Sequence, residues 1–204
     1  MLFNDKEKSM KRWFWVALVI GLTSSIASAA QGDWLGRVRL INISPDASSS
    51  ALSLGASTEN TLELDFSYFV TNNVALELIL ATKKHGITSA GAPIGSVALL
   101  PPTLMLQYHF DPRGSVRPYV GAGINYTRFY DINLLGGAAT VEKNSWGGAL
   151  QVGMDIPLNK TFFLNVDIKK IWIDTDVKLT ATGATVANFD INPVILGIGI
   201  GMKF

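Results

Sequence analysis

The final stretch of the chain, VILGIGIGMKF, divides cleanly by parity. Side chains of an extended strand alternate between two faces. Leu196, Ile198, Ile200, Met202 and Phe204 therefore share one face, and Gly197, Gly199, Gly201 and Lys203 share the other. A helix would mix the two sets, so the period of two selects strand. The same pattern recurs upstream. Leu62, Leu64, Phe66 and Tyr68 oppose Glu63, Asp65 and Ser67; Leu104, Leu106, Tyr108 and Phe110 oppose Thr103, Met105, Gln107 and His109. Over 161–173, Phe162, Leu164, Val166 and Ile168 oppose Asn165, Asp167 and Lys169. One face of each strand is wholly apolar and the other carries the ionisable groups.

Eight such segments are expected, near 33–44, 61–69, 74–85, 97–110, 116–130, 145–156, 161–176 and 190–204. The links after the second, fourth and sixth are short and built of turn-forming residues: Thr71-Asn72-Asn73, Asp111-Pro112-Arg113-Gly114-Ser115 and Pro157-Leu158-Asn159-Lys160. Those after the first, third, fifth and seventh read as long and rich in Gly, Ala, Ser and Thr. All tight turns then lie at one end of an antiparallel meander. An even strand number, short turns at one end, long loops at the other and dyad alternation describe a transmembrane β-barrel.

Composition fits this reading. The 204 residues are 48% hydrophobic and 16% charged, with mean hydropathy +0.28. No run of 18 apolar residues is present to span as a helix, whereas a spanning strand needs only about 9–11 residues. With no cysteine there is no disulfide, thiolate metal site or cysteine nucleophile. A net charge of +1 leaves no electrostatic footprint for nucleic acid. No cofactor motif and no metal constellation is evident.

Residues 1–29 read as a cleaved secretory signal, leaving 30–204 as one barrel. Lys6, Lys8, Lys11 and Arg12 precede the apolar core WFWVALVIGL, and cleavage is expected after Ala29 or Ala30. That core is too short to cross a hydrocarbon layer about 30 Å thick.

An open sheet edge cannot be left in hydrocarbon, so the strands must close. The aliphatic faces then meet lipid, and the ionisable faces line the lumen. Trp34, Tyr68, Tyr108, Phe110, Phe162 and Phe204 fall near the tight-turn end, and Tyr126, Trp146 and Trp172 near the other, as two aromatic girdles should. Counting height from the tight turns puts Arg37, Arg39, Glu63, Asp65, Glu77, Gln107, Asn165 and Asp167 at one level, a polar plug in the lower lumen. Opposite charges confined there should pair, and Gly197, Gly199 and Gly201 should leave room for the arginines. Above them the inward residues turn apolar: Ile41, Ile43, Ile79, Ala81, Leu99, Ala149 and Ile171. Ile41, Ile43, Ile79, Leu99 and Ile171 are the candidate ligand pocket. Eight strands enclose room for side chains or one small ligand rather than a wide aqueous pore.

Several motifs resemble the outer membrane protein W (OmpW) family. They are Leu100-Pro101-Pro102-Thr103, Gln107-Tyr108-His109-Phe110, Arg117-Pro118-Tyr119-Val120-Gly121-Ala122-Gly123, Ser145-Trp146-Gly147, Gln151-Val152-Gly153-Met154-Asp155, Asp190-Ile191-Asn192-Pro193 and the terminal Phe204. They run in order through essentially the whole expected mature chain. The resemblance implies an eight-stranded barrel in the outer membrane of a Gram-negative bacterium, with a narrow hydrophobic channel for small hydrophobic compounds. It also implies sideways release of cargo into the membrane. A terminal Phe after alternating hydrophobes resembles the signal read by the outer-membrane assembly machinery. Outer-membrane lipid and lipopolysaccharide are the other expected partners.

Proline placement points to the same sideways route. Proline lacks an N–H and deletes a ladder bond in a central strand. Pro101 and Pro102, together in the fourth segment, mark a candidate lateral outlet; a plain bulge or strand end is the competing reading. A structural barrel or surface receptor without transport fits the same pattern. A lipid-modifying barrel enzyme would have to draw on His85 or His109, with Ser89 and Asp131 near His85, yet no nucleophile motif surrounds them. A soluble lipocalin shares the strand count and a Gly32-Asp33-Trp34 signature, but its outer face should be charged. The sequence is therefore expected to encode a non-enzymatic outer-membrane barrel for small hydrophobic solutes.

Overall fold

The computed structural model describes residues 29–204. The basic and apolar parts of the expected leader lie outside the described residues. Fifteen strand segments form one antiparallel sheet that closes on itself. They stack into eight staves, most of them broken once at a similar height. The first stave is β1 (Trp34–Ser44), followed in the outer loop by β2 (Ser48–Ser49) and β3 (Leu54–Ala56); the second is β4 (Glu59–Phe69). The third joins β5 (Val74–Ala81) to β6 (Lys83–Ser89), and the fourth joins β7 (Ala92–Leu100) to β8 (Thr103–His109). The fifth, β9 (Arg117–Leu134), is unbroken. After β10 (Ala139–Val141), the sixth is β11 (Asn144–Pro157). The seventh joins β12 (Phe162–Ile171) to β13 (Asp174–Leu179), and the eighth joins β14 (Thr185–Asp190) to β15 (Val194–Lys203).

Below the breaks, β11-β12-β15-β1-β4-β5-β8-β9 form a ring closed by the β9–β11 ladder. Above them, β3-β6-β7-β9-β10-β13-β14-β2 form a collar. The turn between β2 and β3, where the Leu54 N–H donates to Ser49 Oγ at 2.9 Å, completes it.

Side-chain parity is as the alternation requires. Leu62 is 63% exposed and its neighbour Glu63 only 2%; Leu40 is 56% exposed and Arg39 is fully buried. The outward Leu, Ile and Val form an apolar band. At its lower edge stand Trp34, Tyr108, Phe110, Phe162 and Phe204, and at its upper edge Tyr126, Tyr130, Trp146 and Trp172. Trp34 packs on Tyr68 and Tyr126 on Trp146, with centroids 5.0 and 4.9 Å apart.

The strands reach further than the apolar alternation suggested, because above the membrane the outer face no longer has to be apolar. The clearest correction concerns the third connection, expected to be long. It is a hairpin turning at Ala90 and Gly91, whose φ values of 47° and 81° give the mirror-image turn that matches strand twist. The two inner segments 83–89 and 92–100 pair across it.

Candidate functional site

The lumen has three levels. At the tight-turn end Leu35, Phe69, Ala75 and Phe163 pack together with Ala29. Phe69, His109 and Tyr119 stack in series, with centroids 4.8 and 5.0 Å apart. A charged layer lies above, and an apolar chamber fills the rest.

Register builds the charged layer. β1 places Arg37 opposite Asp65 of β4 and Gly201 of β15, and Arg39 opposite Glu63 and Gly199. Arg37 Nη1 lies 2.8 Å from Asp65 Oδ1 and donates to Ser67 Oγ at 2.8 Å, while Nη2 reaches Asp155 Oδ2 at 3.0 Å. Arg39 Nη2 reaches Asp65 Oδ2 at 2.5 Å and Glu77 Oε1 at 2.7 Å; its Nη1 contacts Glu63 Oε1 at 3.1 Å and also Asp167. Lys169 joins Glu63 and Asp167 at 2.7 and 2.8 Å. Gln107 donates to Glu77 and Gln151, Gln151 donates to Asp167, and Asn165 donates to Asp155 and Tyr119. Arg37 also lies over the Tyr119 and Phe163 rings, 5.6 and 5.4 Å from their centroids.

Glycine makes the space. A Cβ at Gly197 would collide with Asp167, and one at Gly201 with the Phe163 ring. All eight residues of the expected plug, Arg37, Arg39, Glu63, Asp65, Glu77, Gln107, Asn165 and Asp167, thus lie in one buried network. Lys169, Asp155, Gln151, Ser67 and Tyr119 belong to it as well. Their parity was readable, since Gln151, Gly153 and Asp155 alternate inward, and Arg117 and Tyr119 do likewise.

The apolar chamber contains two adjoining cavities. The lower has Ile43, Ile171, Ile195, Pro101 and Pro193 in its wall. The upper is lined by residues such as Leu54, Ile87, Val97, Phe129, Val177 and Phe189. His85, Leu99 and Ile191 border both. Of the expected pocket residues, Ile43, Leu99 and Ile171 face cavity space. Ile41 and Ile79 are buried in the same apolar cluster without lining either cavity.

The wall beside the lower cavity is interrupted. The β5–β8 ladder stops at Ile79 opposite Thr103, and the β6–β7 ladder resumes at Lys83 opposite Leu99. Leu80, Ala81 and Thr82 thus face Leu100, Pro101 and Pro102 without ladder pairing. On the other side of the prolines the wall is mended. Tyr126 N–H donates to the Pro102 carbonyl at 3.0 Å, and Asn125 Nδ2 donates to the Pro101 carbonyl at 3.2 Å. Thr82 Oγ1 crosses the gap to the Leu99 carbonyl at 3.1 Å and lies 2.6 Å from Tyr130 Oη. Pro101 and Ala81 line the lower cavity, so the interruption borders it.

A hydrolytic constellation is not assembled at His85. Its Nδ1 pairs with the Ser57 carbonyl at 2.9 Å, Ser89 Oγ donates to the Leu52 carbonyl, and Asp131 pairs with Lys84. Among the described residues no group of three or more His, Asp or Glu is placed to hold a metal.

Comparison with known proteins agrees with this architecture. The sequence profile of the OmpW family matches residues 30–204. Outer membrane protein W of Vibrio cholerae is 34% identical over 93% of this chain and 97% of its own length. The dibenzothiophene metabolism operon protein PahQ of Pseudomonas aeruginosa is 30% identical, covering 86% and 90%. The crystal structure of the outer membrane protein OprG from Pseudomonas aeruginosa superposes with a TM-score of 0.78 at 28% identity, covering 88% of this chain and 99% of that one.

Proposed function

The chain belongs to the OmpW family and is an outer-membrane β-barrel, and from that premise we propose that its upper lumen takes up small hydrophobic molecules and releases them sideways into the membrane. One observation carries the reading: an apolar chamber rests on a charged layer and borders a gap in its own wall. A solute entering from the collar meets Ile, Leu, Val and Phe. Beneath, it would have to displace buried ion pairs, whose separation leaves charges uncompensated at several kcal/mol. Lateral departure between Leu80–Thr82 and Leu100–Pro102 breaks no ladder bond. Ile43, Leu99 and Ile171 line the pocket in this reading, with Ile41 and Ile79 packed in the apolar cluster around it and Pro101 and Pro102 as the outlet. The name of PahQ, which ties it to metabolism of an apolar heterocycle, supports the solute class.

Membrane lipid covers the apolar band. Lipopolysaccharide at the outer rim and recognition of Phe204 by the assembly machinery complete the proposed contacts. The substitution pair Pro101→Val, Pro102→Thr tests the outlet by restoring donors to the ladder. At equal surface abundance, the variant should slow uptake of a hydrophobic dye by whole cells relative to the parent. Unchanged uptake would remove the lateral outlet and favour a purely structural barrel.

A further inference from the structure

The chamber lining is apolar but for His85 at its waist and Thr175 in the upper cavity. His85 is 4% exposed and borders both cavities, with aliphatic side chains on either side of it. Its orientation is built rather than incidental. Ser57 grips β6 at three points: its N–H donates to the Gly86 carbonyl at 2.9 Å, its Oγ accepts from Gly86 N–H at 2.8 Å, and its carbonyl lies 2.9 Å from His85 Nδ1. A carbonyl can only accept, so the proton of the neutral ring resides on Nδ1 and the lone pair on Nε2. Nε2 has no hydrogen-bond partner among the described residues. The other polar side chain of the upper cavity, Thr175, turns its hydroxyl to the Glu142 carbonyl at 3.0 Å.

We propose that His85 Nε2 is the polar anchor of the chamber, selecting hydrophobic solutes that carry one hydroxyl donor, phenols and alcohols, over the parent hydrocarbons. This rests on the chamber being a binding site for apolar molecules and names which of them it prefers. The hydroxyl of such a solute donates to Nε2 at the waist, while its apolar body occupies the lower or upper cavity. A hydrocarbon of the same shape fits the same space but leaves the ring acceptor unmet. A site built to receive a hydroxyl discriminates against the analogue that lacks it.

The chain has two histidines, so imidazole nitrogen resonances report on His85 with little overlap. The experiment uses the protein isolated from the outer membrane, in lipid nanodiscs, with ¹⁵N-labelled histidine and labelled Ile and Leu methyls. It is titrated with 2-naphthol and, separately, with naphthalene. Both probes should shift the Leu99 and Ile171 methyls, and only 2-naphthol should shift His85 Nε2. The methyl titrations should give 2-naphthol an affinity advantage of about threefold to tenfold, the range expected of one net hydrogen bond. His85→Asn keeps a donor near the Nδ1 position and removes Nε2; it should erase the advantage by weakening 2-naphthol alone. Methyl shifts with both probes but equal affinities and a silent Nε2 in the native protein would overturn the anchor and leave the apolar chamber standing. Silent methyls with both probes would overturn the chamber itself. The native-protein readout decides even if the variant does not assemble.

Discussion

Asp65 is held by both arginines of the charged layer, its Oδ1 2.8 Å from Arg37 Nη1 and its Oδ2 2.5 Å from Arg39 Nη2. All three side chains are fully buried, so none can exchange its partner for water. Such pairs add little net stability over an apolar filling but are costly to break from one side. Asp65→Ala is expected to lower the stability of the folded barrel by about 3–5 kcal/mol, read from urea unfolding in lipid vesicles. A loss below about 1 kcal/mol would mean that the layer reorganises around the vacancy.

The same layer is the floor of the chamber. Replacing Arg37 and Arg39 together by Ala empties much of its cross-section and leaves the carboxylates unpaired. Single-channel recordings in planar bilayers should show a cation-preferring conductance well above that of the native protein. Identical traces would place the barrier to ions elsewhere in the lumen.

Tyr130 Oη, 2.6 Å from Thr82 Oγ1, fastens β9 across the wall interruption. Tyr130→Phe removes the hydroxyl and keeps the ring. Hydrophobic dye release into vesicle membranes should quicken by roughly threefold to tenfold, the worth of one hydrogen bond. A slower or unaltered rate would show that the clasp does not control departure.

Lipid-facing positions obey a different rule. Ile198 is 53% exposed at the middle of β15, between Val166 and Leu40 on its two neighbours. Ile198→Arg should cost about 2–4 kcal/mol in vesicle refolding, the penalty of a cation near the bilayer midplane. The same change at Val194, next to the upper girdle, should cost about 1 kcal/mol or less. Equal penalties would contradict the assigned membrane position.

Alternation alone told which face of each strand looks inward, because lipid on one side enforces a largely apolar parity, broken at its upper part by the outward Asn42–Asn60 pair. Arg37, Asp65 and Asp167 were therefore legible before any coordinates. The inward side of Tyr119 follows from the same parity through Arg117, but its place in the charged layer, against Asn165 and under Arg37, comes from pairing across strands that parity does not give. Strand ends above the membrane were also obscured. There β6 and β7 carry Gly, Ser and Thr on their outer faces, and the apolar signal that marks a strand in lipid disappears. The waist position of His85 depends on Ser57, which is 28 residues away and sits in a connection without periodicity.

β9 alone among the staves passes unbroken from the anchored ring into the collar. Every other stave is interrupted between its ring segment and its collar segment. The collar is consequently held to the membrane-fixed ring as a bell is to its yoke, with β9 as the stiff member. A bulky guest that spreads the collar must pivot it about β9, and the displacement is greatest on the far side, where β2 meets β14.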